Sequence, residues 1–164
     1  MSNHVHLVMM PCEEDGLRAV LDEAHRRYTR HINFREGWRG HLWQERFHSF
    51  TMDEDYLLST VRYVERNPVV AGLCKDPKDW KWSIARAHLN GEDDELVRVK
   101  PMLDRIGRWD SYLSEGDKSN ADLIKLHTRT GRPLGHADFI RTLEVITGVE
   151  LAPKRPGRKP IVWE

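Results

Sequence analysis

Met1-Ser2-Asn3-His4-Val5-His6-Leu7-Val8-Met9-Met10 is the stretch whose reading decides the fold. Two histidines two apart lead an apolar run. Alternate residues of a β-strand share a face, so the spacing predicts a strand with His4 and His6 on one side. Their side chains then stand roughly 6–7 Å apart, close enough to hold one metal ion between them. Val5, Leu7 and Met9 are expected to turn the other way, into a core. Taken alone the pair also describes surface histidines. A second cluster further along the chain gives it chemical meaning.

That cluster sits on a predicted helix opening at Thr51. Thr51 and Glu54 have capping-box spacing, and Asp53, Glu54 and Asp55 suit the positive end of a helix dipole. Leu57, Leu58, Val61 and Val64 form the apolar stripe, and Pro68 is expected to end the helix at Asn67. Tyr63 and Asn67, four apart, face the same way. If that helix packs over the face carrying His4 and His6, a phenol, an amide oxygen and two imidazoles converge. Such an assembly cleaves a phosphodiester by covalent catalysis, with Tyr63 as nucleophile. A divalent ion held by His4, His6 and the Asn67 carbonyl would polarise the phosphate and orient it for in-line attack. Taken singly, Tyr63 also fits a packed aromatic and Asn67 a plain helix-ending residue.

Around these motifs, Leu17, Val20, Leu21, Ala24, Tyr28 and Ile32 recur at helical spacing. They predict an amphipathic helix lying on a sheet. Residues 41–50 (HLWQERFHSF) are aromatic and partly alternating, and read in part as a second strand. Beyond Gly91 the chain reads as short helices over 100–106, 109–113, 121–126 and 136–146. The expected architecture is α+β: an antiparallel sheet with helices on one face, then a C-terminal helical appendage. The expected division is 1–90, 91–152 and a basic tail, 153–164.

Lysine plus arginine and aspartate plus glutamate balance at 26 each, so net charge argues for no partner. Distribution says more. Arg26, Arg27, Arg30, Arg35, Arg39 and Arg46 face only two acids, Glu36 and Glu45, between positions 26 and 46. Lys154, Arg155, Arg158 and Lys159 in the tail meet none. Such segregation suits a polyanion-binding face, although charge runs also simply solvate a surface. Cys12 and Cys74 form no metal-ligand pair, which fits free thiols in a reducing cytosol. No basic leader precedes the first strand, and no apolar run approaches a membrane span. A zinc hydrolase built on His-x-His needs further ligands soon after the pair, and Leu7-Val8-Met9-Met10 offers none.

The sequence resembles the REP-associated tyrosine transposases, a branch of the HUH single-tyrosine transposase superfamily. His4-Val5-His6 is similar to the HUH motif, and Tyr63-Val64-Glu65-Arg66-Asn67-Pro68 to the nucleophile helix. Gly40-His41-Leu42-Trp43-Gln44-Glu45-Arg46-Phe47, Trp82-Ser83, Gly131-Arg132-Pro133-Leu134-Gly135 and the basic tail also match, in the family's order. The resemblance implies Tyr63 as nucleophile, His4 and His6 as metal ligands and Asn67 in the third-ligand position, with Mg or Mn. It implies an HUH palm that cleaves and rejoins single-stranded hairpin DNA of palindromic repeats through a 5′-phosphotyrosine. DNA contacts are expected from Arg26, Arg27, Arg30, Arg39, Arg46, Lys154, Arg155, Arg158 and Lys159. A bacterial, cytoplasmic, nucleoid-associated protein follows from the same likeness. In the family a strand, a helix and a strand precede the HUH strand. Their lack here implies an N-terminally truncated catalytic domain, whose alternative is an inactive DNA-binding relic.

Overall fold

A computed structural model of the chain describes residues 1, 3–115 and 118–152, without the side chains of 118 and 119. The calls on Lys154, Arg155, Arg158 and Lys159 lie outside the described residues. The elements are α1 (Gly16–Glu36), α2 (Glu54–Val70), a 3-10 turn (Pro77–Asp79), α3 (Ala85–Asn90), α4 (Lys100–Leu103), α5 (Trp109–Ser114), α6 (Lys118–Thr130) and α7 (Ala137–Thr147).

The expected antiparallel sheet is absent among the described residues. Neither the segment around His4 and His6 nor residues 41–50 forms a strand. The one strand-like pairing there is a parallel bridge between Met52 and Leu134. The reason is that a strand draws its backbone hydrogen bonds from a neighbour, which periodicity cannot supply. The core assignment of the first segment is also overturned. Val5 and Leu7 stay 63% and 59% exposed, whereas Val8 packs against the cluster of Val61, Trp109 and Leu113. Of the segment's residues it is His6 and Val8 that meet the protein, while His4 and Met10 are exposed.

α1 likewise lies on no sheet. Its apolar stripe buries Leu21 and Ile32, while Val20 and Tyr28 remain exposed. The loop after it folds back as cover. Asn33 Nδ2 donates to the Gly40 carbonyl at 3.0 Å, and Trp43 Nε1 donates to the His25 carbonyl at 3.3 Å with its ring stacked on His25. The return is made possible by Gly37, at φ 66°, whose N–H bonds the Asn33 carbonyl and closes the helix in the left-handed conformation.

α2 is the central helix, packed by α5, α6 and the 3-10 turn. Its N-cap is Asp53 rather than Thr51: the carboxylate accepts from the Tyr56 N–H at 3.1 Å. Thr51 is occupied elsewhere, its carbonyl accepting from Leu134 N at 2.9 Å. The helix also runs past the expected stop at Asn67 to Val70, with Pro68 inside it. Proline removes one internal N–H, and near the C-terminus little helix remains to be disrupted. The bulk of the apolar packing gathers Leu57, Leu58 and Val61 of α2 with Leu89, Met102, Leu103, Ile106, Trp109 and Leu113. Of the helices expected after Gly91, that over 100–106 is shorter, Lys100–Leu103, and those over 109–113, 121–126 and 136–146 are found as Trp109–Ser114, Lys118–Thr130 and Ala137–Thr147. No helix among the described residues is long and apolar enough to cross a membrane.

Within this packing lies a polar group of three. Glu65 is fully buried, His88 is 2% exposed and Trp109 3%. His88 Nδ1 lies 2.5 Å from Glu65 Oε1, and Trp109 Nε1 donates to Glu65 Oε2 at 2.9 Å. The segment from Leu134 to His136 joins the start of α2 through the Met52–Leu134 bridge, and His136 N donates to Asp53 Oδ2 at 2.7 Å. A Cβ on Gly135 would overlap Phe139 Cδ1 and come within 2.8 Å of Asp53 Oδ2, a carboxylate already holding two backbone N–H groups. Gly135→Ala is therefore expected to destabilise the protein by about 1–3 kcal/mol, as overpacking does. Urea unfolding checks it, and an unchanged midpoint would refute it.

Candidate active site around Tyr63

Three of the four residues expected to converge do so. The His4 and His6 ring centroids are 4.9 Å apart, edge to face, and the Tyr63 ring is 5.8 Å from His6 in the same manner. His4 is exposed, and its Nδ1 lies 2.7 Å from Asn3 Oδ1, an acceptor, so Nδ1 donates and Nε2 is the nitrogen left for a further partner. His6 and Tyr63 are half-buried. Burial holds the His6 imidazole below its usual pKa, and the neighbouring His4 adds to the effect. The depression leaves His6 neutral at neutral pH, the form that binds metal. Asn67, also half-buried, lies one turn beyond Tyr63 on the same side of α2.

Helix register explains the presentation. Successive residues turn by about 100°, so Tyr63 and Asn67 lie on one side while Val61 and Glu65 lie on the other. The N-terminal segment runs past the first side and seats Val8 among the apolar residues, which carries His6 to the phenol. No group of three or more histidines, cysteines, aspartates and glutamates among the described residues is placed to hold a metal. A bound ion would therefore draw its remaining ligands from an amide, water or substrate.

The arginines of 26–46 divide into two sets. Arg26 and Arg27 both close on Glu23, at 2.8 and 2.6 Å, and Arg35 pairs with Glu36 at 2.6 Å. Arg30, Arg39 and Arg46 are exposed and form no ion pair among the described residues. The Arg26 hydrogen bond, followed by that of Arg27, lowers the Glu23 pKa to about 2. Its folded value is depressed, so the pairing is complete above the ordinary carboxylate range and is lost as pH falls towards 2. Two of the five described arginines expected on DNA are thereby partly neutralised. Glu23→Gln is expected to tighten binding of a single-stranded oligonucleotide. It should also steepen the plot of log affinity against log salt by about 0.7 for each arginine that gains a phosphate. An unchanged slope in a salt titration would place Arg26 and Arg27 off the DNA path.

Sequence reasoning missed Glu65, His88 and Trp109. The available signal was an acid four residues after Val61 on the buried stripe of a helix, where an unpartnered carboxyl is costly.

The comparisons bear on the N-terminal part of the chain. Residues 1–67 match a family model described as "Transposase IS200 like". Among curated proteins nothing matches. Among solved structures nothing matches either. The matched residues contain His4, His6, Tyr63 and Asn67. Over residues 1–67 the chain is therefore similar to the IS200-like transposases.

Proposed function

We propose that the protein is a DNA strand transferase of the REP-associated tyrosine transposase kind, acting on single-stranded hairpin DNA of palindromic repeats. The observation that carries the reading is the meeting of the Tyr63 ring with the His6 imidazole at 5.8 Å, with the His4 imidazole 4.9 Å beyond His6. The similarity of residues 1–67 to IS200-like transposases supports DNA as the substrate.

In the proposed reaction the Tyr63 hydroxyl oxygen attacks a backbone phosphorus. The P–O bond to the 3′ oxygen breaks as the Tyr63 O–P bond forms. The phenol proton leaves to solvent, and the departing 3′ oxygen takes up a proton to become a free hydroxyl. The downstream strand stays on Tyr63 as a 5′-phosphotyrosine. Attack by another 3′ hydroxyl reverses the step, because one phosphodiester is exchanged for another of similar energy. A phenol with a pKa of about 10 is a weak nucleophile at neutral pH, so the phosphate must be made more electrophilic. A divalent ion, Mg or Mn, would supply that polarisation.

The donor set fits such an ion. His4 has Nε2 free with Nδ1 oriented by Asn3, His6 is held neutral, and the Asn67 amide shares a side of α2 with Tyr63. His4, His6 and Asn67 would hold the ion, while Arg30, Arg39 and Arg46 hold the strand through its phosphates. The test is a hairpin oligonucleotide labelled on the 3′ side of the cleaved bond. Incubation with the full chain and Mn or Mg is expected to give a denaturation-resistant protein–DNA adduct, lost on chelation. Salt-dependent binding with no adduct in either metal would refute transfer and leave a DNA-binding protein.

A further inference from the structure

The buried carboxyl on the far side of α2 has no part in the chemistry just described, and its surroundings say what it does. We propose that Glu65 is a positioning residue: held from two directions by His88 of α3 and Trp109 of α5, it sets the rotation of α2 that turns Tyr63 towards His6. The proposal rests on the reading that Tyr63 and His6 form the site, and it names what holds them together.

Glu65 lies two residues from both Tyr63 and Asn67, hence about 200° around the helix from each. Whatever fixes Glu65 on the inside fixes the other two on the outside. Apolar contacts do this poorly, because they are non-directional; Val61 and Leu58 tolerate some rotation against Trp109 and Leu113. The carboxyl group does it well. Its two oxygens take one bond each, 2.5 Å to His88 Nδ1 and 2.9 Å to Trp109 Nε1, from side chains on different helices. Rotating α2 away from both donors would strand a fully buried acid together with two buried donors. The indole and imidazole rings also pack on each other, with centroids 4.7 Å apart, so neither donor is free to follow. From the flank of α2 between Glu65 and Tyr63, Arg62 Nη1 donates to the Tyr112 carbonyl at 3.4 Å and Arg66 Nη1 to the Leu113 carbonyl, tying α2 to the end of α5. Through Glu65, residues from beyond position 85 determine where a side chain at position 63 points.

The experiment replaces the whole polar group at once with Glu65→Leu, His88→Leu and Trp109→Phe in the full chain. Removing every member together strands no partner, and such replacements commonly preserve folding. The first readout needs no DNA. The His6 ring resonances, assigned by their disappearance in His6→Gln, carry the ring-current shift of Tyr63, measured by its loss in Tyr63→Leu. In the folded triple variant they are expected to move as they do in Tyr63→Leu. Resonances at the wild-type positions would overturn the proposal.

The second readout is the adduct rate at saturating oligonucleotide, expected to fall on the order of 100-fold, as a displacement of about 1 Å can produce, with oligonucleotide affinity unchanged. An unchanged rate, or equal losses of rate and affinity, would overturn it too. If the triple variant does not fold, two single variants decide. Glu65→Gln keeps an acceptor for Trp109 and offers a donor to His88, which accepts it at Nδ1 by taking its other tautomer, and is expected to retain the wild-type His6 spectrum. Trp109→Phe removes one arm and is expected to shift it. The same spectrum in both would refute the assignment. A wild-type protein that forms no adduct removes the strand-transfer reading, while the His6 spectra still decide the role of Glu65.

Discussion

Tyr63→Phe is expected to abolish the covalent protein–DNA adduct. The substitution removes one oxygen and leaves the aromatic ring that packs edge to face with His6 at 5.8 Å. Folding, DNA affinity and the His6 environment should therefore persist while the nucleophile is gone. Loss of a covalent nucleophile commonly costs a factor on the order of 10⁴ to 10⁶ in rate, which takes adduct formation below detection in a gel assay. His4→Ala and His6→Ala should each lower the rate strongly with the phenol intact. The pattern separates the two roles: the phenylalanine variant fails in every metal, and the histidine variants regain rate as the metal concentration is raised. An adduct surviving in Tyr63→Phe would transfer the nucleophile to another tyrosine, with Tyr56, half-buried about two turns earlier on α2, next to be tested.

Trp109→Ala is expected to produce the largest loss of stability, about 3–5 kcal/mol. The indole is 3% exposed and packs with Val61 and Leu113, with the Tyr112 ring at 5.4 Å and that of His88 at 4.7 Å. Truncation opens a cavity among all of them. It also takes the Nε1 donor from Glu65 Oε2, leaving a buried carboxyl oxygen without that bond. Since a domain of this kind is stable by only about 5–15 kcal/mol, the loss is a large share of the total. It should appear as a fall in Tm of roughly 10 °C in a thermal melt. Leu96→Ala, at a residue 93% exposed, serves as the control and should change stability by no more than about 0.5 kcal/mol. A loss below about 1 kcal/mol in Trp109→Ala would mean that α5 is not held against α2 as described.

The helices were legible because their signals are local. A repeat of about 3.6 residues, an acidic first turn and a glycine at the C-terminus belong to one stretch of chain, and they identified α1, α2 and the short helices after Gly91. The misplaced start of α2 has a non-local cause: Asp53 caps the helix while the Thr51 carbonyl is engaged by Leu134, from far along the described chain. The strands failed for the same kind of reason. Val5, Leu7 and Met9 alternate as a strand should, yet alternation names only a face, and the partner that makes a strand is a non-local fact.

The candidate site shows the same division. By itself the sequence nominated His4, His6, Tyr63 and Asn67 as the candidates for chemistry and determined that Tyr63 and Asn67 share a side of one helix, because side-chain type and helical register are properties of the chain. Only the tertiary structure decided that His6 meets Tyr63 and Val8 joins the apolar cluster of Val61, Trp109 and Leu113, and that Glu65 is gripped by His88 and Trp109. Each of those outcomes depends on which groups meet across long stretches of sequence, and such meetings are settled by packing and by the cost of burying an unpartnered polar group.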